Sequence, residues 1–153
     1  MKVKEIMMSN PVTCSPSDSL ASVVQQMWDN DCGILPVIAD DRVQAVITDR
    51  DICMALSFKG APPAAVYVFD VVEGHGVFGC SPDMDIRDAL KIMGDRRVRR
   101  LPVMEPGGKL AGILSMNDIV FAAQEGKGNA PTYADVVYAL QGICGHGEVA
   151  IAA

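Results

Sequence analysis

The sequence has few aromatic residues, more acidic than basic residues and no long apolar run, and each shortage excludes a class of protein. Aromatic residues make up 5% of the 153 residues, so a core would be mainly aliphatic. The formal net charge of -6 argues against non-specific nucleic-acid binding, which requires a clustered positive surface. No stretch approaches the roughly 20 apolar residues that span a bilayer, and residues 1–11 lack the apolar core of a signal peptide. We therefore expect a cytoplasmic protein that binds neither nucleic acid nor a membrane.

The five cysteines are an odd number and include no Cys-x-x-Cys pair, so they do not indicate a disulfide framework. We expect reduced and mostly buried thiols. Cys144 with His146, and His75 with Cys80, each supply two ligands, which are too few for a zinc site. The sequence therefore predicts no metal site.

The main feature that is present is an internal repeat. Ser15-Pro16 recurs as Ser81-Pro82, and Leu35-Pro36-Val37 recurs as Leu101-Pro102-Val103. Both pairs have an offset of 66 residues (81 − 15 and 101 − 35). Two sequence motifs in the same order at one offset indicate a duplicated structural unit.

A third match sets the limits of the two copies. Residues 45–52 match residues 112–119 at an offset of 67 (112 − 45), because an extra glycine lengthens the turn before the second segment. A stretch with glycine and two prolines separates the copies and predicts a linker. The predicted units are a first repeat, 3–56, a linker, 57–67, a second repeat, 68–123, and a C-terminal extension with one helix, 124–153.

Within each copy the apolar periodicity predicts the order strand, helix, strand, strand, helix. The first strand is expected at 11–14 and 77–80, just before the Ser-Pro pair, because the residue before a proline is biased away from the helix. Asp18 and Asp83 are expected to be caps or first-turn acids of the helices that follow. Three strands with two helices on one face leave apolar surface uncovered, so the two copies should pack together.

Each copy has a Leu-Pro-Val turn into a hairpin, followed by a strand that ends in Thr48-x-x-Asp51 or Ser115-x-x-Asp118. With these motifs the chain resembles the CBS domain (named after cystathionine β-synthase), which occurs in tandem as a Bateman module. The resemblance implies an α/β (α+β) fold of two β-α-β-β-α repeats packed with pseudo-twofold symmetry. It also implies a regulatory adenine-nucleotide-binding module rather than an enzyme, with no required cofactor.

The resemblance implies two clefts for AMP, ADP, ATP or S-adenosylmethionine. In the family, each cleft combines the hydroxyl-x-x-Asp segment of one repeat with the first strand and Leu-Pro turn of the other. Cleft one would contain Thr48, Arg50, Asp51, Val77, Phe78, Arg99, Arg100, Leu101 and Pro102. Cleft two would contain Val12, Thr13, Gly33, Ile34, Leu35, Pro36, Ser115, Asn117 and Asp118.

The chemistry of these positions supports binding independently of the family. An aspartate carboxylate can accept both hydroxyls of a ribose, and free N–H groups where a strand leads into a helix can hold phosphate oxygens. Arginine adds contacts to phosphate of about 1.5–3 kcal/mol each. Because Gly33 and Ile34 stand where cleft one has Arg99 and Arg100, we expect phosphorylated ligands in cleft one. Cleft two should be empty or hold a less charged adenosyl group.

Other interpretations of these residues stay open. Thr48-x-x-Asp51 and Ser115-x-x-Asp118 are also capping-box patterns that satisfy helix N–H donors. Arg99 and Arg100 are neighbours on a predicted strand and should point to opposite faces, so at most one is expected in the cleft unless the strand is irregular there. The string Gly74-x-Gly76-x-x-Gly79 matches a dinucleotide fingerprint, but it lacks the strand before and the helix after that such a site requires.

The extension predicts one more helix, opened by Thr132-x-x-Asp135. Its apolar face is expected to cover its own domain or a partner, and to consist of Tyr133, Val136, Val137, Leu140 and Ile143. By resemblance we expect a homodimer and a regulated effector protein of unknown identity. The alternatives are a dimeric scaffold without ligand and an enzyme, for which the sequence offers no nucleophile–base pair.

Overall fold

The computed structural model of the chain describes residues 1–126 and 128–145. Five strands are β1 (Met8–Ser9), β2 (Ile34–Ala39), β3 (Arg42–Thr48), β4 (Arg100–Met104) and β5 (Leu110–Ser115). Six α-helices are α1 (Leu20–Asp29), α2 (Asp49–Lys59), α3 (Phe69–Val72), α4 (Ile86–Arg96), α5 (Met116–Ala122) and α6 (Tyr133–Cys144). Two short 3₁₀ turns cover Val3–Glu5 and Pro63–Ala65. The mixed α/β fold of two similar repeats is confirmed.

The two predicted hairpins form with equivalent registers. β2 pairs antiparallel with β3, with Ile34 opposite Thr48, and β4 pairs antiparallel with β5, with Arg100 opposite Ser115. Both hairpins carry an irregularity at the same place, after Val37 and after Val103. Each hairpin therefore ends beside the hydroxyl residue that starts the next helix.

The predicted first strands are reduced to one parallel bridge in each repeat. Cys14 bridges Val37 and Cys80 bridges Val103. The ladder cannot continue, because a proline lies next to each bridge and has no N–H to donate. The predicted strands at 11–14 and 77–80 are therefore largely wrong, and the only strand N-terminal to α1 in the described residues is β1, which pairs with β5.

The helix caps lie one and two residues later than predicted. Ser19 caps α1 by accepting the N–H of Ser22 at 3.3 Å, and Asp85 caps α4 by accepting the N–H of Arg87 at 3.0 Å. Asp18 instead accepts the N–H of Ser15, inside the turn that follows Ser-Pro. The carboxylate of Asp83 pairs with Lys4 at 2.7 Å.

Each repeat has its own hydrophobic core. Each core also contains residues from the segment where the other repeat begins. Val3 is fully buried in the core of the second repeat, where its N–H donates to Met84 at 3.0 Å. Val66 and Val68 are buried in the core of the first repeat, and the carbonyl of Val66 accepts the N–H of Leu20 at 2.8 Å. The two repeats thus exchange their leading segments.

The C-terminal helix α6 lies on α4 of the second repeat. Its buried stripe contains Val136 and Ala139, with Leu140 and Ile143 partly buried beside them. Tyr133 and Val137, which were expected on the same face, are 54% and 51% exposed. The contact is a narrow stripe, mainly on α4 with a smaller contact to α5, so the predicted face was too wide.

Cys14, Cys32, Cys53 and Cys80 are free thiols, and the cysteines are less buried than expected. Burial raises the pKa of Cys14 to about 12 and the pKa of Cys80 to about 11, so both remain protonated at neutral pH. Cys53 and Cys144 are exposed. Within residues 1–126 and 128–145, every helix is too short or too polar to cross a membrane.

Candidate functional site

A cavity of about 660 Å³ lies where the two hairpins meet. One side is formed by the start of β2, the end of β3 and the first turn of α2. The opposite side is formed by the segment 97–100, which links α4 to β4. The cavity therefore draws on both repeats, and a ligand in it would contact both.

Four arginines are among the residues that line this cavity, Arg50, Arg97, Arg99 and Arg100. None of them forms an ion pair with another of the described residues. Asp49 is the one acidic residue among the lining residues that the structure describes. The cavity is thus strongly positive in a chain whose formal net charge is -6, and it suits a ligand with several negative charges.

Arg99 and Arg100 both reach the cavity, contrary to the expectation that they point to opposite faces. Arg99 lies in a bend before β4, and the strand begins only at Arg100. The alternation of strand side chains therefore does not apply to this pair. Arg97 adds a third group because α4 ends there in a left-handed conformation, with φ of 55°.

The N-terminus of α2 opens onto the cavity and carries a complete capping box. The Thr48 hydroxyl accepts the N–H of Asp51 at 3.2 Å and donates to Oδ2 of Asp51 at 2.7 Å. The same Oδ2 accepts the Thr48 N–H at 2.9 Å. The two bonds to the carboxylate both end on Oδ2, so Oδ1 of Asp51 can still accept a hydroxyl group.

An equivalent capping box lies at the N-terminus of α5 in the second repeat. Ser115 and Asp118 make the corresponding three bonds at 2.8, 2.7 and 3.2 Å. The two hydroxyl-x-x-Asp motifs therefore act as helix capping boxes in both repeats. Capping does not exclude ligand binding, because the box leaves one carboxylate oxygen of each aspartate unused.

Apolar groups form the remaining walls of the cavity. Ile34 and Val46 come from the first hairpin, and Phe78 and Pro102 come from the second repeat. The guanidinium of Arg96 lies 4.5 Å from the centre of the Phe78 ring, a cation–π contact that orients the ring. A flat aromatic group would fit beside these side chains.

Most residues predicted for cleft one lie around this cavity. Its lining residues include Thr48, Arg50, Phe78, Arg99, Arg100 and Pro102. Asp51 is held in the capping box beside it, whereas Val77 is half-buried and outside the lining. Leu101 is fully buried in the core of the second repeat.

The residues predicted for cleft two are spread over several environments. Gly33 and Ile34 line the arginine cavity, and Leu35 is fully buried in the core of the first repeat. Pro36 is also buried, Val12 and Thr13 are half-buried, Ser115 and Asp118 form their box, and Asn117 is exposed. Cleft two therefore stays a prediction.

The sequence analysis missed three parts of the cavity wall. Gly33 and Ile34 occupy the positions equivalent to Arg99 and Arg100, so the repeat symmetry could have predicted that all four meet at the pseudo-twofold axis. Asp49 and Arg97 flank predicted residues. The last turn of α6, at 143–145, also lines the cavity, and no motif in the repeats indicates it.

No group of three or more His, Cys, Asp or Glu side chains is placed to hold a metal within the part of the chain that the structure describes. His146, one member of the pairs considered above, lies outside these residues. The segment 74–79 has the glycine spacing of a dinucleotide fingerprint but neither a preceding strand nor a following helix.

A family model described as CBS domain matches residues 3–58 and 71–125. Among curated relatives, the uncharacterized protein MK0525 of Methanopyrus kandleri is 29% identical over 121 residues, which are 78% of this chain and 61% of that protein. The structure of CBSX2 in complex with AMP is similar with 26% identity and a TM-score of 0.68, covering 79% of this chain and 94% of the other.

A second solved structure shares the fold at lower identity. It is the CBS domain pair of protein MJ0100 in complex with 5-methylthioadenosine and S-adenosyl-L-methionine, with 19% identity and a TM-score of 0.71. It covers 79% of this chain and 94% of that one. The family matches end at residue 125, so α6 lies outside both.

Proposed function

This chain belongs to the CBS domain family as a tandem pair, and from this premise we propose that it is a regulatory module that binds a phosphorylated adenine nucleotide. The proposed site is the cavity between the hairpins. The observation that carries the proposal is the set of four arginines in one cavity, without an ion-pair partner among the described residues. The AMP complex of CBSX2 supports the ligand class.

The cavity chemistry favours phosphorylated ligands over S-adenosylmethionine. Arginine contacts to phosphate contribute about 1.5–3 kcal/mol each, and the N-terminus of α2 adds the positive end of the helix dipole. S-adenosylmethionine carries a sulfonium cation, which four guanidinium groups would repel. We therefore rank ATP, ADP and AMP above S-adenosylmethionine for this site.

The remaining parts of a nucleotide have matching neighbours. Phe78, Pro102 and Ile34 offer apolar surface for the base. Oδ1 of Asp51 is the proposed acceptor for the ribose hydroxyls. Cleft two, built on Asp118, stays a weaker proposal for a less charged adenosyl group, since it has no counterpart of Arg99 and Arg100.

Regulation would follow from a shift in population between relative orientations of the two repeats. A ligand that contacts both hairpins favours the orientation that it binds more tightly, and only to the extent of that difference in affinity. We propose that the favoured orientation is read by an effector protein of unknown identity. No catalytic step is proposed for this cavity.

A ligand-free dimeric scaffold is the second candidate, because the helical faces expose large apolar side chains. Trp28 is 83% exposed, Phe58 80% and Phe121 90%, and large apolar side chains exposed to this extent are candidates for a protein interface. A scaffold and a nucleotide-binding regulator make different predictions for the effect of nucleotides on thermal stability.

The test is thermal melting with AMP, ADP, ATP and S-adenosylmethionine. A ligand at one hundred times its Kd stabilises the folded state by about 2.7 kcal/mol, which raises the Tm by roughly 5–10 °C at this chain length. Arg100→Gln should reduce the shift with ATP. Arg42→Gln, at an exposed arginine outside the cavity, should keep it. No shift with any ligand at millimolar concentration would favour the scaffold.

A further inference from the structure

The last turn of α6 forms part of the wall of the arginine cavity. Ile143, Cys144 and Gly145 line it together with Arg97 and Val98. These residues belong to the extension beyond the two family matches. The site is therefore built from three parts of this chain, the two repeats and α6.

We propose that docking of α6 on α4 and nucleotide binding in the arginine cavity are positively coupled, so that each strengthens the other. The inference rests on the proposed function, since it concerns the regulation of the same site. A ligand in the cavity contacts the last turn of α6 only while the helix is docked. A ligand that gains these contacts must stabilise the docked state by the free energy that the contacts contribute.

The docking surface is specific to the second repeat. A Cβ atom placed on Gly142 of α6 would lie 3.0 Å from Cα of Gly94 in α4, so the two backbones can approach this closely because residue 142 is a glycine. The position equivalent to Gly94 in the first repeat is Trp28 (94 − 28 = 66). That tryptophan is 83% exposed, and its side chain would prevent an equally close helix. Only one of the two helical faces is built to accept α6.

The N-terminal end of α6 is held by contacts that do not involve the cavity. Its last turn can therefore move onto or off the cavity wall independently of that end. Arg87 of α4 donates to the carbonyl of Ala130 at 2.8 Å and contacts the Asp135 carboxylate at 3.3 Å. The Thr132 N–H, and secondarily Arg87, hold the pKa of Asp135 below its ordinary value. The helix is thus anchored at its N-terminus and meets the ligand cavity at its C-terminus.

The sign of the coupling follows from the contacts that docked α6 adds to the cavity wall, because the charge at its C-terminus acts in the opposite direction. The C-terminus of a helix carries a partial charge of about −0.5, which is small against four guanidinium groups. The net field on an anionic ligand therefore stays attractive with α6 docked. Ile143 adds apolar surface that is absent from the wall when the helix is displaced.

The test compares hydrogen exchange in α6 with nucleotide affinity. In the wild-type chain, saturating ATP should slow exchange of the amides in the last two turns of α6. Gly142→Val should speed exchange in α6 and weaken ATP binding about five-fold or more, the usual range of such couplings. Gln141→Val is the matched control at an exposed position on the same turn, and should leave both unchanged.

A second variant guards against a general folding defect in Gly142→Val. Arg87→Gln removes the N-terminal anchor without touching the cavity, and should also speed exchange in α6 and weaken ATP binding. Faster exchange in α6 with unchanged ATP affinity in both variants would overturn the coupling and leave the proposed function intact. ATP binding that speeds exchange or leaves it unchanged would also overturn it. Failure of the wild-type chain to bind any adenine nucleotide would overturn both.

Discussion

The two identical capping boxes provide a test that separates structural from ligand-binding roles. In each box the aspartate carboxylate accepts two bonds, from the N–H and the hydroxyl of Thr48 or Ser115. The aspartate N–H donates the third bond to that hydroxyl, and corresponding distances agree to within 0.1 Å. Replacing either aspartate by alanine removes the two carboxylate bonds of the box and keeps the hydroxyl cap, at a cost of about 1 kcal/mol. Both variants should therefore lose a similar 2–4 °C in Tm, by the scaling for chains of this length.

Nucleotide affinity should distinguish the two variants. Only Asp51 lies beside the arginine cavity, where its second carboxylate oxygen is the proposed acceptor for ribose. A hydrogen bond to a charged group contributes about 1.5–3 kcal/mol, so Asp51→Ala should raise the Kd for ATP roughly 10- to 150-fold. Asp118→Ala should change it less than about three-fold, since the ligand does not contact that residue.

The assay is titration calorimetry with ATP, run well below the melting temperature of both variants, beside calorimetric melting without ligand. Equal losses of affinity in the two variants would show that the cap acts through stability alone. Unchanged affinity in Asp51→Ala would remove that residue from the site. Either outcome refutes the assignment of the ribose to Asp51.

Two further predictions concern assembly and the exchanged segment. We expect the wild-type chain to sediment as a homodimer and Trp28→Ser to shift it toward monomer, because that side chain is 83% exposed on a helical face; a wild-type monomer at micromolar concentration would contradict this. Gly112→Ala should cost about 1–3 kcal/mol of unfolding free energy in urea, because its Cβ would lie 2.6 Å from the carbonyl oxygen of Met8 and force β1 away from β5. Gly76→Ala, where a Cβ meets open space, is the control, and an equal effect of both substitutions would refute the steric argument.

Features that depend on neighbouring residues could be predicted from the sequence. The two hairpins, the three boxes at Thr48, Ser115 and Thr132, and the helix in the extension all follow from residues a few positions apart. The constant offset between the motifs then predicted that the chain contains two copies of the same unit, packed together. Interactions between residues within one helical turn of each other can be recognised in the sequence. The occurrence of the same motif in both repeats strengthened each prediction.

Features that depend on distant residues could not be predicted in the same way. The exchange of Val3 and Val66 between the two cores joins segments that no local pattern connects. The entry of Arg99 into the cavity depends on where β4 begins, and strand ends are the least certain part of any sequence-based assignment. Ile143 reaches the cavity wall because α6 packs on α4. That packing depends on the close approach of Gly142 to Gly94, which are 48 residues apart in the sequence (142 − 94) and are not linked by any sequence motif.

The central claim is that the cavity with four arginines holds a phosphorylated adenine nucleotide. A crystal structure of the chain grown with ATP tests it most directly. We predict one nucleotide in the cavity of about 660 Å³, with its phosphates on Arg50, Arg99 and Arg100 and its ribose on Asp51. An empty cavity at saturating ATP, or a nucleotide bound only beside Asp118, would contradict the claim.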